Sequence, residues 1–209
     1  MSWYLDSVYE LNKESPYTFY IPSLEVLEKL EVGDLVKLIF VPVKEEDDGF
    51  RGERMWVEIS EINGKNYLGQ LANEPHQLPL KLGDVITFEN EHICATQHDD
   101  PHSSKWDFYF DTLVTVSDDV LEKEEFHFML KDDPHEDGDS GWTILSGYEE
   151  TDFLNDPNNY QIIAVGVVLN IDNSILDFFY EPPLCAYERD EEGKFYKIED
   201  YDWESYLGE

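Results

Sequence analysis

Three stretches of the chain gather side chains whose types and spacing do chemistry elsewhere. Gly138-Asp139-Ser140-Gly141 copies the signature around the nucleophilic serine of a protease, where backbone donors cradle an oxyanion. Trp142 stands where that signature continues with glycine, and neither a secretory signal nor an Ala-x-His-Cys-like stretch precedes it, so a protease is set aside. Asp133-x-His135-x-Asp137-Gly138 mimics the opening of a calcium loop, in which oxygen ligands alternate ahead of an obligatory glycine. Its third position is His and its bidentate Glu is replaced by Ile144, so calcium is not expected. His92, Cys94, His98 and His102 are all zinc-competent, but one segment supplies all four, and Pro101 forbids a continuous helix presenting His98 and His102 together. A solvated loop is the expectation there, with no metal and no cofactor.

What dominates instead is negative charge. The 209 residues carry 48 acids against 14 Lys and Arg, a formal net charge of −34. Phosphate binding needs clustered Lys and Arg, so nucleic acid and anionic membrane surfaces are excluded as direct partners and a basic protein is favoured. Residues 1–112 hold 22 acids and 9 bases, residues 113–209 hold 26 and 5, so the C-terminal half attracts cations more strongly. At 41% hydrophobic and 14% aromatic the chain still has ample material for a core and is not a disordered acidic protein. Cys94 and Cys185 are far apart, no signal-peptide pattern opens the chain, and no apolar run spans a bilayer; a reducing cytoplasm with both thiols free is expected.

The elements that must carry these residues follow from periodicity. Asp139 to Leu145 reads as a short buried strand between an acidic loop, Asp132 to Asp139, and a turn at Ser146-Gly147. Upstream, Trp3 to Glu14 is expected as a helix, Tyr17 to Ile21 as a strand, and Leu24 to Leu30 as a helix N-capped by Ser23. From Leu35 the pattern is β: Leu35 to Val43, a charged loop Lys44 to Gly52, Arg54 to Ile59, a hairpin turn at Asn63-Gly64, Lys65 to Leu71, and Val85 to Glu89. Short strands with such frequent turns imply a small, bent antiparallel sheet or barrel. Trp106 to Val116 is expected as a strand, Ser117 as the N-cap of a helix through Glu124, and Phe126 to Leu130 as a strand. Tyr160 to Ile171 is core, as strand or helix. Asp172 should cap a helix reaching Tyr180, and Leu184 to Arg189 with Lys194 to Glu199 a hairpin. The expected class is α+β: a bent antiparallel sheet or barrel with short helices over 1–95, a linker over 96–105, and over 106–209 an α+β domain with a mostly antiparallel sheet.

Asp139-Ser140-Gly141-Trp142, with Ser146-Gly147, Asp156-Pro157-x-Asn159 and Tyr187-Glu188-Arg189, resembles a bacterial family once of unknown function and now grouped as the thirty-third immunity-protein family of polymorphic toxin systems. The resemblance covers about 116–198. It implies a cytoplasmic protein that binds and neutralises a cognate toxin without catalysis of its own. Gly52-Glu53-Arg54-Met55-Trp56-Val57, Gly69-x-Leu71-x-Asn73-x-Pro75, Gly83-Asp84 and His92-Ile93 resemble a second family, a small bacterial β-domain of unknown function, over about 32–93; it adds no activity.

The leading expectation is therefore a non-enzymatic acidic protein that occludes a basic toxin. Asp132, Asp133, Glu136, Asp137, Asp139, Glu149, Glu150 and Asp152 form the expected contact surface, with Trp142 and Tyr148 as aromatic anchors. An acidic scaffold domain without a toxin is the alternative. A hydrolase using paired carboxylates or a metal in the acidic loop comes third, since nothing specifies a nucleophile, a base and an orienter together.

Overall fold

Residues 63–66 make a two-residue hairpin turn: Gly64 adopts φ 66°, the left-handed conformation that such a turn requires, and Asn63 pairs with Asn66 across it. The computed structural model in which this is seen describes residues 3–44 and 51–208; most of the charged loop expected over 44–52 lies outside the described residues. The chain divides into two compact units, Met1–Ser104 and Lys105–Glu209.

The first unit contains β1 (Trp3–Leu5), α1 (Val8–Glu14), α2 (Leu24–Leu27), β2 (Leu35–Pro42), β3 (Glu53–Asn63), β4 (Asn66–Leu71), β5 (Val85–Glu89) and β6 (Ile93–Thr96). Its strands run antiparallel in the order β1-β2-β3-β4-β5, and β6 shares the second edge of β2 with β1, pairing with Val36–Leu38 while β1 takes Phe40–Pro42. A register shift in β3 between Ile59 and Glu61 adds the bend that brings the sheet close to closure. Strict alternation sends Val36, Leu38, Phe40, Met55, Val57, Ile59, Ile86 and Phe88 into one core. Each such side chain contributes about 1.5–3 kcal/mol by leaving water. The bent antiparallel sheet read from the sequence is the one observed, and Ser23 caps α2 by accepting from the Val26 amide.

Two elements differ. Trp3–Glu14 is not one helix: Trp3 and Leu5 extend along β2, where the Trp3 ring packs 5.2 Å from that of Phe40, and only Val8 onward is helical. Tyr17–Ile21 forms no strand, because the chain turns on itself at Phe19 N–H to Ser15 O and the Asn12 amide takes the Phe19 carbonyl.

Residues 96–102 are bonded into this unit. The Gln97 amide donates to Leu35 O, and the Asp100 carboxylate accepts from the Tyr20 hydroxyl at 2.6 Å, the Ser23 amide at 2.8 Å and the His102 amide at 2.8 Å. Burial pushes the Asp100 carboxyl upward, but those donors outweigh it and bring it to about 2. A lowered carboxylate pKa contributes stability that is present above the unfolded value near 4 and is lost as pH falls through the folded value. Asp100→Asn is expected to cost about 1 kcal/mol at pH 7, after allowance for solvent screening, and the difference from the parent should vanish near pH 2; urea titrations at the two pH values measure it.

The second unit contains α3 (Ser104–Asp111), β7 (Leu113–Ser117), α4 (Asp118–Lys123), β8 (Phe128–Lys131), β9 (Asp139–Leu145), α5 (Thr151–Leu154), β10 (Tyr160–Ala164), α6 (Val165–Ile171), β11 (Cys185–Arg189), β12 (Phe195–Lys197) and α7 (Trp203–Leu207). The sheet runs β10-β7-β9-β8-β11-β12 and is mixed: β7 and β9 are parallel, every other pair antiparallel. Val114, Val116, Met129, Trp142 and Ile144 are buried on its inner face. The Trp142 indole N–H donates to Phe179 O at 3.1 Å, and Lys131 lies over the same ring while donating to the Phe179 and Glu181 carbonyls.

Trp106–Asp111 is helix rather than strand. Its rings meet at helical spacing, Trp106 stacking on Phe110 and edge-on to Tyr109, and the strand begins only at Leu113. The apolar run 160–171 is both elements in succession, strand to Ala164 and helix from Val165. Ser117 and Asp172 cap as expected, accepting from Val120 N and Ser174 N, although the segment after Asp172 is a 3-10 turn.

Candidate functional site

Period-two alternation turns Thr115, Leu130, Thr143, Leu145 and Ile162 away from the inner core of the second sheet, onto its outer face. There they floor a groove of about 710 Å³. Leu154 at the end of α5, Asn155, Pro157 and Tyr160 form one wall; Tyr201 and Tyr206 from the C-terminal segment form the other. The Tyr160 hydroxyl donates to Leu154 O at 3.1 Å and so ties β10 to the end of α5 within that wall. Tyr201 packs on Phe128, Trp203 and Tyr206, which seats the tail against the sheet.

The acids expected to form one surface are divided by β9. Asp132–Asp139 joins β8 to the start of β9, and the second group follows its other end, so the seven-residue strand separates them by roughly 20 Å. Asp133, Glu136, Asp137, Glu150 and Asp152 are exposed. Asp132 is half-buried, and Asp139 is occupied locally, accepting from the His135 and Gly141 amides. Glu149 is a strut: its carboxylate accepts from the Ser117 hydroxyl at 2.5 Å and from the Ser146 and Gly147 amides. Burial raises the Glu149 carboxyl, but these donors prevail and hold it below the usual carboxylate range. The Ser146 hydroxyl in turn donates to Asp119, which also receives Lys123.

Trp142 must be corrected as a surface anchor: it is 0% exposed at the centre of the sheet, where a large apolar ring on a central strand belongs. Tyr148 is 57% exposed, held between His127 and Lys123, and remains available.

The groove connects what β9 separates. The Tyr206 hydroxyl is raised by burial and then by Asp132, and that of Tyr160 by burial and then by Glu149, so each acid group is felt at one of the groove's phenols. Its phenols stay protonated in a negative field, which suits a cation. From Asp132 to Glu188 the sequence contains 13 acids and no Lys or Arg. Tyr160, Ile162, Thr115 and Thr143 were not legible as site residues, because strand order decides which outward positions become neighbours.

His92, Cys94, His98 and His102 have separate partners: His92 accepts from the Glu89 amide, the Cys94 thiol donates to Lys37 O, His98 pairs with Asp34 and His102 with Glu25. Among the described residues no group of three or more His, Cys, Asp or Glu side chains is placed to hold a metal ion, and no helix is long and apolar enough to cross a membrane.

Comparison with known families places both halves. Residues 114–199 match the model of the Immunity protein Imm33 domain. Residues 22–110 match that described as Uncharacterized protein conserved in bacteria (DUF2314), so the order read from the sequence is the order found. The Imm33 match contains the floor of the groove and both acid groups, and it supports a toxin-immunity role in general and suggests a non-enzymatic one. A toxin is the partner an immunity domain implies. No curated protein and no solved structure matches the chain.

Proposed function

We propose that the protein acts in the cytoplasm by binding a basic toxin through the outer face of the second sheet and occluding the toxin's active surface. The observation that carries this is the groove itself, apolar and phenolic on its floor and walls and within the fields of Asp132 and Glu149. Apolar floor and aromatic walls supply the buried centre that an interface needs, and the exposed acids Asp133, Glu136, Asp137, Glu150 and Asp152 supply a rim that steers a cation inward. Nothing in such an interface makes or breaks a bond.

The test is co-expression with the protein encoded by the adjacent gene, followed by binding at graded ionic strength. Affinity should fall about tenfold between low and moderate salt. Asp133→Asn, Glu136→Gln and Asp137→Asn combined should slow association about tenfold and leave dissociation nearly unchanged, because rim charges act on encounter. Stopped-flow kinetics separate the two rates, and an affinity indifferent to salt would remove the electrostatic mechanism.

A further inference from the structure

We propose that β10 is a receiving edge, and that the partner docks by adding an extended, lysine- or arginine-bearing segment to it as a seventh strand of the second sheet. The inference rests on the toxin-binding reading above and names how the partner is held. β10 lies at the end of the strand order and pairs only with β7, through five consecutive residues without a bulge. The Val165 amide donates to Thr112 O, directly opposite in that register, which fixes the alternation: Gln161 and Ile163 bond inward to β7, and the N–H of Ile162 and Ala164 and the C=O of Tyr160 and Ile162 point outward, while the Ala164 C=O opens α6. Among the described residues no backbone group meets them.

Natural edges are shortened or protected with Lys or Pro to stop unwanted pairing. The opposite edge obeys this rule, since β12 has three residues and ends in Lys197. β10, Tyr-Gln-Ile-Ile-Ala, has no charge, no Pro and an Ile162 that is 65% exposed. Tyr160 and Ile162 also line the groove, so side chains of an added strand on the same face would continue its floor. The occupant is cationic because Asp118, which accepts from the Gln161 side-chain amide, and Asp156 stand at this end of the sheet, Asp156 within the stretch 132–188 that holds no Lys or Arg. A second copy of this chain is disfavoured by the same charge, −34 on each copy.

The probe is the synthetic peptide acetyl-Lys-Val-Lys-Ile-Lys-Val-Lys-amide, with its glutamate counterpart as control. Amide hydrogen exchange on the full chain should slow at least tenfold at Ile162 and Ala164 when the lysine peptide is added, and stay unchanged at Gln161 and Ile163, which are already paired. Ile162→Pro removes an outward N–H and no bond to β7, so it should melt near the parent temperature and bind the peptide at least tenfold more weakly. The proposal is overturned if the lysine peptide does not bind, if exchange at Ile162 and Ala164 is unaltered, or if the glutamate peptide binds as well. It is also overturned if the parent, and not Ile162→Pro, self-associates in sedimentation, since the occupant is then a second copy. Should Ile162→Pro still bind the adjacent-gene toxin at full affinity, the edge is dismissed and the immunity reading survives; a toxin bound by neither form removes that reading instead.

Discussion

Gly141→Ala is expected to cost about 4 kcal/mol and to lower the melting temperature of the second unit by about 15 °C or more. Gly141 has φ 77°, which alone costs an alanine about 1–2 kcal/mol. The larger part is contact. An added methyl would fall well inside 3.0 Å of the Asp132 carbonyl oxygen and 3.1 Å from its carbon, and both belong to backbone. Asp132 cannot retreat, because its own amide donates to Gly141 O at 2.9 Å and closes the β8–β9 hairpin at the root of the acidic loop. Gly193→Ala is the control: φ is 78° and nothing stands within 4 Å of the new methyl, so only the same conformational cost of about 1–2 kcal/mol applies. Calorimetry on both variants isolates the close approach; equal losses would mean that backbone conformation is all that glycine supplies at 141.

That hairpin also shows where sequence reading succeeds and where it stops. Asp139–Leu145 was legible as a buried strand because it is short, apolar and bounded by turn residues on both sides, and Asn63-Gly64, Ser23 and Ser117 were legible because each satisfies backbone groups within its own four residues. Local chemistry is enough for such features. The segment Trp106–Asp111 defeats it, since W-D-F-Y-F-D serves a strand by alternation and a helix by the 106/110 and 106/109 ring contacts, and only its surroundings choose. The candidate site is less legible still. Proximity in sequence suggested that Asp132–Asp139 and Glu149–Asp152 share a surface, yet a strand carries its two ends apart, and the groove that both fields reach is assembled from β10, β7, β9, β8 and the C-terminal tail. Sequence separations of 47 residues, as between Thr115 and Ile162, are joined by register alone.

The same dependence on distant partners makes Arg189 the second position where one substitution should act strongly. Its Nε donates to Phe126 O at 2.8 Å, Nη1 to Gly193 O at 2.7 Å and Nη2 to the Asp172 carboxylate and to Ser174 Oγ, while the guanidinium lies 4.2 Å from the Phe195 ring centre. One planar group thus fastens the β11–β12 hairpin, the approach to β8 and the turn after α6. Arg189→Met keeps the bulk and should cost about 3 kcal/mol, the lower end for breaking a buried pair because Asp172 keeps some solvent. Arg189→Lys should cost about 2 kcal/mol, since an ammonium cannot reach all these acceptors at once. The pH dependence identifies the ionic share. Burial raises the Asp172 carboxyl, but the Ser174 bonds and the Arg189 charge outweigh it and hold it below the ordinary range. Such a group contributes stability above its unfolded pKa and loses it as pH falls through the lowered folded value, so the gap between parent and Arg189→Met should narrow in acid. Urea titrations at pH 7 and pH 3 measure that gap, and one that stays constant would assign the whole loss to the neutral hydrogen bonds and the stacked rings.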